Sequence, residues 1–304
     1  MSKQDTSLKI KELQEKHGIA GRVSFERREG DFVNIQLNQG KDLCVVSLYG
    51  GHLRSCTLSG RSCFWESSKA LFQNGKAIRG GVPIVFPWFG SHPDQSSFPS
   101  HGFARISPWE VVSTRGDGDT TTLVMELKDS PESLKLWPQS FQLRQEVTLS
   151  ATSLVQTLSV TNTGSEPWTW AGGFHPYFQI EDIDSTHVLG LENESYVNLI
   201  NREHFLQKGG VRFKGEVDRA YISDGKNLRI EDDKLEQQFS LKCDGANSVV
   251  VWNPSVEKAK SDMPADGPQH FVCVEPAKDA HVGVWSQRST LEPGKTATLG
   301  YEVS

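Results

Sequence analysis

The sequence lacks the features that mark several large classes of protein. Its net charge is only −6 over 304 residues, with acidic and basic residues interspersed, so no basic face is available to nucleic acid. No apolar run approaches the roughly 18 residues of a membrane span. The polar first 18 residues have no signal-peptide core. We therefore expect a soluble, cytoplasmic protein that binds neither nucleic acid nor membrane.

Cysteine is scarce, and its pattern does not indicate disulfides. None of the five cysteines forms a Cys-x-x-Cys motif, and all lie in apolar, strand-like settings: Cys44, Cys56, Cys63, Cys243 and Cys273. An odd number of such residues is typical of reduced thiols in a cytosolic protein. We interpret them as buried core residues.

Signatures of metal, nucleotide and serine-hydrolase sites are also missing. The nine histidines show no His-x-His, His-x-x-x-His or His-Glu-x-x-His spacing. Neither a Gly-x-Ser-x-Gly elbow nor a Gly-x-Gly-x-x-Gly fingerprint occurs. We expect no metal ion and no cofactor.

What the sequence has in abundance is alternating and β-branched runs separated by clusters of Gly, Asn, Asp, Pro and Ser. They predict strands at residues 32–37, 43–48, 52–58, 109–113, 120–127, 141–149, 153–161, 239–243, 248–252, 271–274 and 296–303. Helix is predicted only for residues 7–17 and for one turn at 131–136. The pattern indicates an all-β protein, an antiparallel sandwich or barrel.

The domain organisation follows from the absence of repeats, linkers and compositional breaks. We predict a helical extension over residues 1–20 and a single large sandwich domain over residues 21–304. Two smaller domains remain an open alternative at this length.

Two segments about a hundred residues apart carry the strongest chemical signal. Glu275 lies within the apolar, β-branched run Val272-Cys273-Val274-Glu275-Pro276, and His175 lies between glycines and aromatics in Gly172-Gly173-Phe174-His175-Pro176-Tyr177-Phe178. A carboxylate in an apolar strand is either paired or held ready to take a proton. A histidine in a comparable setting suggests its acid–base partner.

Two arginines occur in glycine- and aromatic-rich segments. Arg79 precedes a glycine pair, two prolines and the aromatic residues Trp88 and Phe89, and Arg105 closes the segment that begins at His101. Paired glycines let a backbone approach a ligand closely, and an aromatic face suits a sugar ring. Two guanidinium groups near one site favour a phosphate or carboxylate ligand. An irregular loop over the core is the alternative for the first segment.

Weaker candidates lie further along the chain. Asp218 is able to accept hydrogen bonds from ligand hydroxyls, although an Asp beside an Arg is more often a solvated turn residue. Lys258 and Lys260 lie in a turn-rich loop after Trp252, which either folds over an anionic ligand or is an ordinary surface loop.

Taken together, these segments resemble the aldose 1-epimerase superfamily, and most closely its glucose-6-phosphate 1-epimerase branch. The resemblance rests on Arg79-Gly80-Gly81-Val82-Pro83, Phe86-Pro87-Trp88-Phe89-Gly90, His101-Gly102-Phe103-Ala104-Arg105, His175-x-Tyr177-Phe178, Asp218-Arg219-x-Tyr221, Trp252-Asn253-Pro254 and Val272-Cys273-Val274-Glu275. The motifs occur in the family's order and span about residue 43 to the end of the chain.

The resemblance implies a galactose mutarotase-like β-supersandwich and a cofactor-free interconversion of sugar anomers. It implies His175 as the general acid on the ring oxygen and Glu275 as the general base on the anomeric hydroxyl, with His175 protonated and Glu275 ionised. His101 and Asp218 match positions that contact sugar hydroxyls. The sequence departs from the family pattern at Pro176 and at Gly172-Gly173-Phe174, which replaces a segment of smaller residues. Pro176 stiffens the turn after His175 without removing an acid–base group, so it bears on the rate or substrate preference more than on the reaction itself.

In the same branch, Arg79 and Arg105 match residues that hold a 6-phosphate. The implied partner is therefore a small sugar phosphate, glucose 6-phosphate first among them, and we expect a monomer. Three alternatives stay open: a free-sugar aldose 1-epimerase, a non-catalytic carbohydrate-binding protein, and a glycoside hydrolase or lyase that uses two carboxylates.

Overall fold

The structure is a computed structural model that describes residues 3–234, 237–283 and 288–304. Residues 1–2 of the predicted extension, and 235–236 and 284–287 of the predicted sandwich, lie outside the described residues. The described helices are α1 (Lys3–His17) and α2 (Pro131–Leu136). No helix in these ranges is long and apolar enough to cross a membrane.

The rest of the described chain is dominated by strands. The first half contains β1 (Val23–Arg27), β2 (Val33–Gln39), β3 (Asp42–Ser47), β4 (His52–Leu58), β5 (Arg61–Ser62), β6 (Ile84–Val85), β7 (Glu110–Gly116), β8 (Thr120–Lys128), β9 (Phe141–Ser150), β10 (Leu154–Asn162), β11 (Trp168–Thr169) and β12 (Gly172–Phe174). The second half contains β13 (Tyr177–Gln179), β14 (Thr186–Leu189), β15 (Ser195–Asn198), β16 (His204–Leu206), β17 (Val211–Arg212), β18 (Val217–Tyr221), β19 (Leu228–Asp232), β20 (Gln237–Asp244), β21 (Ser248–Asn253), β22 (Phe271–Lys278), β23 (Thr290–Leu291) and β24 (Thr296–Val303).

The strands form four sheets, and every paired strand in the described chain is antiparallel to its partner. The largest sheet has the order β17-β14-β19-β20-β24-β10-β9-β8-β7, and the second has the order β16-β15-β18-β21-β22-β12-β6, with β13 also paired to β22. A five-stranded sheet, β1 to β5, and the pair β11-β23 complete the set. The prediction of an all-β antiparallel sandwich is confirmed.

The predicted strands correspond to the longer strands of the structure. Strands β9 and β10 form a hairpin, with Leu149 opposite Leu154, and alternate side chains of both strands are buried because a strand's side chains point in turn to its two faces. The predicted helices are also present, although α1 begins at Lys3 rather than at residue 7. The strands that prediction missed are each five residues or shorter. So few residues hold too few alternations to be recognised.

The core lies between the large sheets, and strand β22 separates it from the site. Val272 and Val274 join the main core, whereas Cys273 packs in a second cluster on the other face with Phe271 and Tyr177. Because successive side chains of a strand point to opposite faces, Glu275 shares the face of Cys273. The candidate site therefore lies on the outer face of the eight-stranded sheet.

Candidate active site

His175 occupies a break between two strands that both pair with β22. On one side of the break Gly173 pairs with Ala277, and on the other Tyr177 pairs with Cys273. Pro176 and Pro276 lie within the break, and because proline has no N–H the ladder cannot continue there. Gly173 is required before it, since a Cβ atom would lie 2.3 Å from the Pro276 carbonyl oxygen.

The break brings His175 against Glu275. His175 Nε2 lies 3.4 Å from Glu275 Oε1, and the two side chains are 7% and 2% exposed. His175 Nδ1 and Glu275 Oε2 are buried without a hydrogen-bond partner among the described residues. Buried polar atoms of this kind are rare in folded proteins. Each side chain of the pair therefore has one buried polar atom whose hydrogen-bonding capacity the described residues leave unsatisfied.

The pair lines a pocket of about 470 Å³. Its walls come from loops before and after β6, from β18, β21 and β22, and from the chain around residue 200. The charged, histidine and aromatic residues that line it are Arg79, Phe89, His101, Arg105, His175, Arg202, Asp218, Trp252, Lys260, Glu275 and Arg288. The structure thus brings all six predicted site residues, His175, Glu275, Arg79, His101, Arg105 and Asp218, to one cavity of a size suited to a small ligand.

The surroundings of the pair favour its uncharged forms. Burial lowers the pKa of His175 well below its ordinary value, and Arg105 and Arg79 lower it further. Burial and the nearby Asp218 raise the pKa of Glu275, against an opposing effect of Arg105. The expectation of a protonated His175 beside an ionised Glu275 therefore differs from the unliganded structure, because desolvation penalises both charges. One proton moved from Glu275 to His175 would interconvert the two states.

The two arginines differ in how far the protein already engages them. Arg79 Nε lies 3.1 Å from Asp262 Oδ2, and Arg79 Nη1 donates to the Tyr177 hydroxyl at 2.8 Å. Both contacts raise the pKa of Arg79. The hydrogen bond of Arg105 is from Nη2 to the Ser100 carbonyl oxygen at 2.7 Å. Burial lowers the pKa of Arg105 to about 10, so it remains charged at neutral pH.

Other cationic side chains surround the same cavity. Lys260, Arg202 and Arg288 line it, whereas Lys258 does not and instead forms an ion pair with Glu216. Of the two candidate lysines, the geometry therefore retains Lys260. The pocket combines a buried acid–base pair with an excess of positive charge along its walls.

His101 and Asp218 line the same pocket as the pair. The His101 ring packs edge-on against His175, with ring centroids 5.5 Å apart, and His101 Nδ1 accepts a hydrogen bond from the Gly90 N–H at 3.3 Å. Asp218 lies on β18, directly across from Trp252 on β21. Burial and Glu216 raise the pKa of Asp218 to about 7.

The raised pKa of Asp218 predicts a dependence of stability on pH. Burial raises the pKa from 3.8 to about 7. Between roughly pH 4 and pH 7 the folded state therefore binds more protons than the unfolded state, and the stability falls as the pH rises. We expect Asp218→Asn to increase the free energy of unfolding at pH 8 by about 2–4 kcal/mol and to have little effect near pH 4.

Urea unfolding at both pH values measures this difference. Asp224→Asn is the matched control, because Asp224 is exposed and the hydrogen bond from Lys226 lowers its pKa. An Asp218→Asn effect of equal size at the two pH values would contradict the prediction.

The structure distinguishes between the alternatives left open for the first arginine segment. Trp88 is fully buried, with its indole N–H bonded to the Pro99 carbonyl oxygen, so Phe89 rather than Trp88 faces the pocket. Gly80 and Gly81 approach protein rather than ligand: a Cβ atom at either would lie 2.4 Å from a backbone carbonyl oxygen, of Trp65 or Leu53 respectively. The glycines are needed because the loop packs against these strands so closely.

Cys273 is the residue whose place at the site sequence reasoning missed. It was interpreted as core, and it is buried, but its sulfur, a carboxylate oxygen of Glu275 and a ring nitrogen of His175 all lie within 4.8 Å of one another. The signal was present in the sequence, because residues two apart on a strand share a face. The spacing of metal ligands along the sequence could not reveal the group, since His175 lies about a hundred residues earlier, in the break between β12 and β13.

Comparison with known proteins agrees with this geometry. The profile of the aldose 1-epimerase family matches residues 34–304. A protein of Cenchrus ciliaris provisionally named glucose-6-phosphate 1-epimerase is 33% identical over 280 residues, which is 86% of this chain and 81% of that protein. A provisionally assigned mutarotase of Salmonella typhimurium, solved by crystallography, superimposes with a TM-score of 0.85 at 27% identity over 94% of each chain.

A second solved structure supports the fold alone. A galactose mutarotase-like protein of Clostridium acetobutylicum superimposes with a TM-score of 0.75 at 19% identity, over 93% of this chain and 97% of that one. The fold is thus the galactose mutarotase-like supersandwich that the motifs implied, and the match to the family profile covers the strands and loops that build the pocket. The chain belongs to the aldose 1-epimerase family and is an isomerase of that class.

Proposed function

We propose that this protein interconverts the α and β anomers of hexose 6-phosphates, with glucose 6-phosphate as the first substrate to test. The observation that carries the proposal is the contact of 3.4 Å between His175 and Glu275 in a pocket that Arg105 also lines. The pair supplies acid–base chemistry, and the arginine supplies a ligand for the phosphate group. The relatives named glucose-6-phosphate 1-epimerase support the same substrate class.

In the proposed mechanism, one member of the pair gives a proton to the ring oxygen while the other removes one from the anomeric hydroxyl. With His175 as acid and Glu275 as base, the ring opens to the free aldehyde. Rotation about the C1–C2 bond presents the other face of the carbonyl, and the reverse proton transfers close the ring as the other anomer. The pair returns to its starting protonation state, so no cofactor or co-substrate is consumed.

Arg105 is the better of the two phosphate ligands. Asp262 already neutralises Arg79, whereas the hydrogen bond of Arg105 is to an uncharged backbone oxygen. A dianionic phosphate therefore gains more from Arg105, with Arg79 as a neighbour fixed in place by Tyr177. Lys260 adds a further positive charge on the same wall. In the proposal, His101 and Asp218 hydrogen-bond the sugar hydroxyls from the walls of the same pocket.

The bound phosphate has a second consequence for the acid–base pair. Arg105 and Arg79 are the charges that lower the pKa of His175 after burial itself. A phosphate dianion beside them offsets their positive field, which raises the pKa of His175 and favours transfer of the shared proton from Glu275 to His175. Substrate binding thereby generates the charge state that the mechanism requires.

This coupling predicts that a free phosphorus oxyanion activates the reaction of an unphosphorylated sugar. We expect inorganic phosphite to accelerate anomer exchange of free glucose by this protein on the order of tenfold, since a pKa shift of one unit is a tenfold change in the protonated fraction. Two-dimensional exchange NMR at fixed ionic strength measures it, with sulfate-free chloride as the salt control. No acceleration at phosphite concentrations that bind would contradict the coupling.

A free-sugar aldose 1-epimerase is the second candidate function. The observation in its favour is the ion pair of Arg79 with Asp262, which removes one of the two expected phosphate ligands. The glycosidase alternative requires two carboxylates, and Asp218 and Glu275 do line one pocket. However, Glu275 makes its close contact with a histidine, and the family is one of epimerases.

The test is exchange NMR between the α and β anomeric protons of glucose 6-phosphate, glucose and galactose, each with and without protein. Exchange that is much faster on the phosphorylated sugar supports the proposal. Equal acceleration on free sugars moves the assignment to the free-sugar epimerase. Ligand-induced shifts without acceleration on any sugar would overturn both and leave a carbohydrate-binding protein.

A further inference from the structure

The acid–base pair has a third neighbour that the proposed reaction does not use. Cys273 is fully buried on β22, two residues before Glu275, and directly across from Tyr177 on β13. Among the described residues, His175, Cys273 and Glu275 are the one group of at least three potential metal ligands whose ligand atoms lie within 4.8 Å of one another.

The spacing of these atoms suits a tetrahedral metal ion. Ligand atoms about 2.0–2.3 Å from zinc in a tetrahedron lie about 3.3–3.8 Å from one another. His175 Nε2 and Glu275 Oε1 are 3.4 Å apart. The Cys273 sulfur lies within 4.8 Å of both side chains' ligand atoms, so a small movement of its side chain would complete three corners. His175 and Glu275 line the pocket, which leaves a fourth corner open to water.

A second observation is that other protein groups hold this pair only weakly through hydrogen bonds. Glu275 Oε2 and His175 Nδ1 are buried and have no hydrogen-bond partner among residues 3–234, 237–283 and 288–304. Because these atoms are unpartnered, a cation bound between His175 Nε2 and Glu275 Oε1 would displace the contact within the pair and no hydrogen bond from Nδ1 or Oε2. His175 is held against the Tyr177 ring, stacked at 4.9 Å, so its orientation toward Glu275 is fixed before any ligand arrives.

The chemical types of the three ligands determine which metal ions the site would prefer. Thiolate, imidazole and carboxylate together favour zinc or cadmium over magnesium or calcium, which prefer oxygen ligands alone. Arg79 and Arg105 line the same pocket and oppose any cation. That repulsion is offset because thiolate and carboxylate together carry two negative charges and Asp262 pairs with Arg79.

We propose that His175, Cys273 and Glu275 form a binding site for a thiophilic divalent cation, zinc or cadmium, which inhibits the protein by occupying its acid–base pair. On binding, the thiol proton of Cys273 and the proton shared by His175 and Glu275 pass to solvent. No oxidation or reduction takes place. The inhibitory part rests on the proposed function, whereas the binding part does not.

Binding is tested with cobalt as a spectroscopic probe of the full chain. We expect a thiolate-to-cobalt charge-transfer band in the wild type, displaced by zinc or cadmium. The band should be lost in Cys273→Ala and Cys273→Ser. Cys243→Ala is the matched control, because Cys243 is another buried strand cysteine, on β20, and lies outside the group of His175, Cys273 and Glu275, so the variant should keep the band. Equal bands in wild type and in a folded Cys273 variant, or no band in the wild type, would overturn the site.

Inhibition is tested separately by exchange NMR. Zinc should slow anomer exchange of the wild type, and EDTA should restore it. In Cys273→Ser the zinc concentration for half inhibition should rise by on the order of 10–100-fold or more. Removing even an outer-shell partner of a metal ligand lowers metal affinity by that factor, and Cys273 is proposed as a direct ligand. Cobalt binding without zinc inhibition would refute the inhibitory part alone. If the metal-free wild type shows no exchange, the proposed function fails while the cobalt result still decides the metal site.

Discussion

Replacing Glu275 by Gln is expected to reduce anomer exchange by about 10²–10⁴-fold, because a positioned general base contributes that much and the amide cannot accept a proton. The substitution keeps the size of the side chain and removes a carboxyl group whose pKa burial already raises. The fold should therefore be retained, with a thermal midpoint at or above that of the wild type. Exchange NMR on glucose 6-phosphate measures the rate.

The control and the partner substitution sharpen this test. Glu302→Gln, on β24 and away from the pocket, should leave exchange unchanged. His175→Ala should lose a similar factor, and the double substitution should lose no more than about the larger single loss, since groups that act as one unit are not additive. Near-normal exchange in a folded Glu275→Gln or His175→Ala would remove that residue from the mechanism.

Replacing Arg105 by Ala should separate phosphorylated from free sugars. A hydrogen bond to a charged group is worth about 1.5–3 kcal/mol, so kcat/KM for glucose 6-phosphate should fall about 10–150-fold. Exchange of free glucose should not fall, because Arg105 is the nearby charge that most lowers the pKa of His175, and its removal favours the protonated acid. The ratio of the two kcat/KM values is the measurement.

Lys258→Ala is the matched cationic control for Arg105. Lys258 pairs with Glu216 and does not line the pocket, so its loss should change neither substrate. Arg79→Ala is less informative, since it also releases Asp262 and Tyr177 from their contacts. Equal losses on glucose 6-phosphate and glucose in Arg105→Ala would show that this arginine supports the site as a whole and does not bind phosphate.

The long strands were predictable because each holds enough alternation to identify it. In β9 and β10 buried side chains alternate with more exposed ones, whereas β8 and β24 each contain a continuous run of buried residues. Turn residues bound all four strands. Strands β12 and β13, which flank His175, have three residues each and were missed. Their strand geometry comes from pairing with β22, which no local window of sequence contains.

The candidate site, like the strands, was predictable only where neighbouring residues carry the information. The alternation around Glu275 already implied that Cys273 shares its face, but the histidine that completes the group comes from a distant segment. The engagement of Arg79 depends on Asp262, 183 residues away in sequence, and nothing near Arg79 predicts it. Trp88 and Phe89 are adjacent, and only packing decided which of them is buried and which faces the pocket.

By itself, the sequence determined the all-β class, the longer strands, and the residue types from which the site is built, because these depend on local period and on side-chain chemistry. The tertiary structure decided what those residues can do. It brought His175 to within 3.4 Å of Glu275, paired Arg79 with Asp262, and buried the acid–base pair. Contacts and pKa shifts depend on distance and desolvation, and long-range strand pairing sets both.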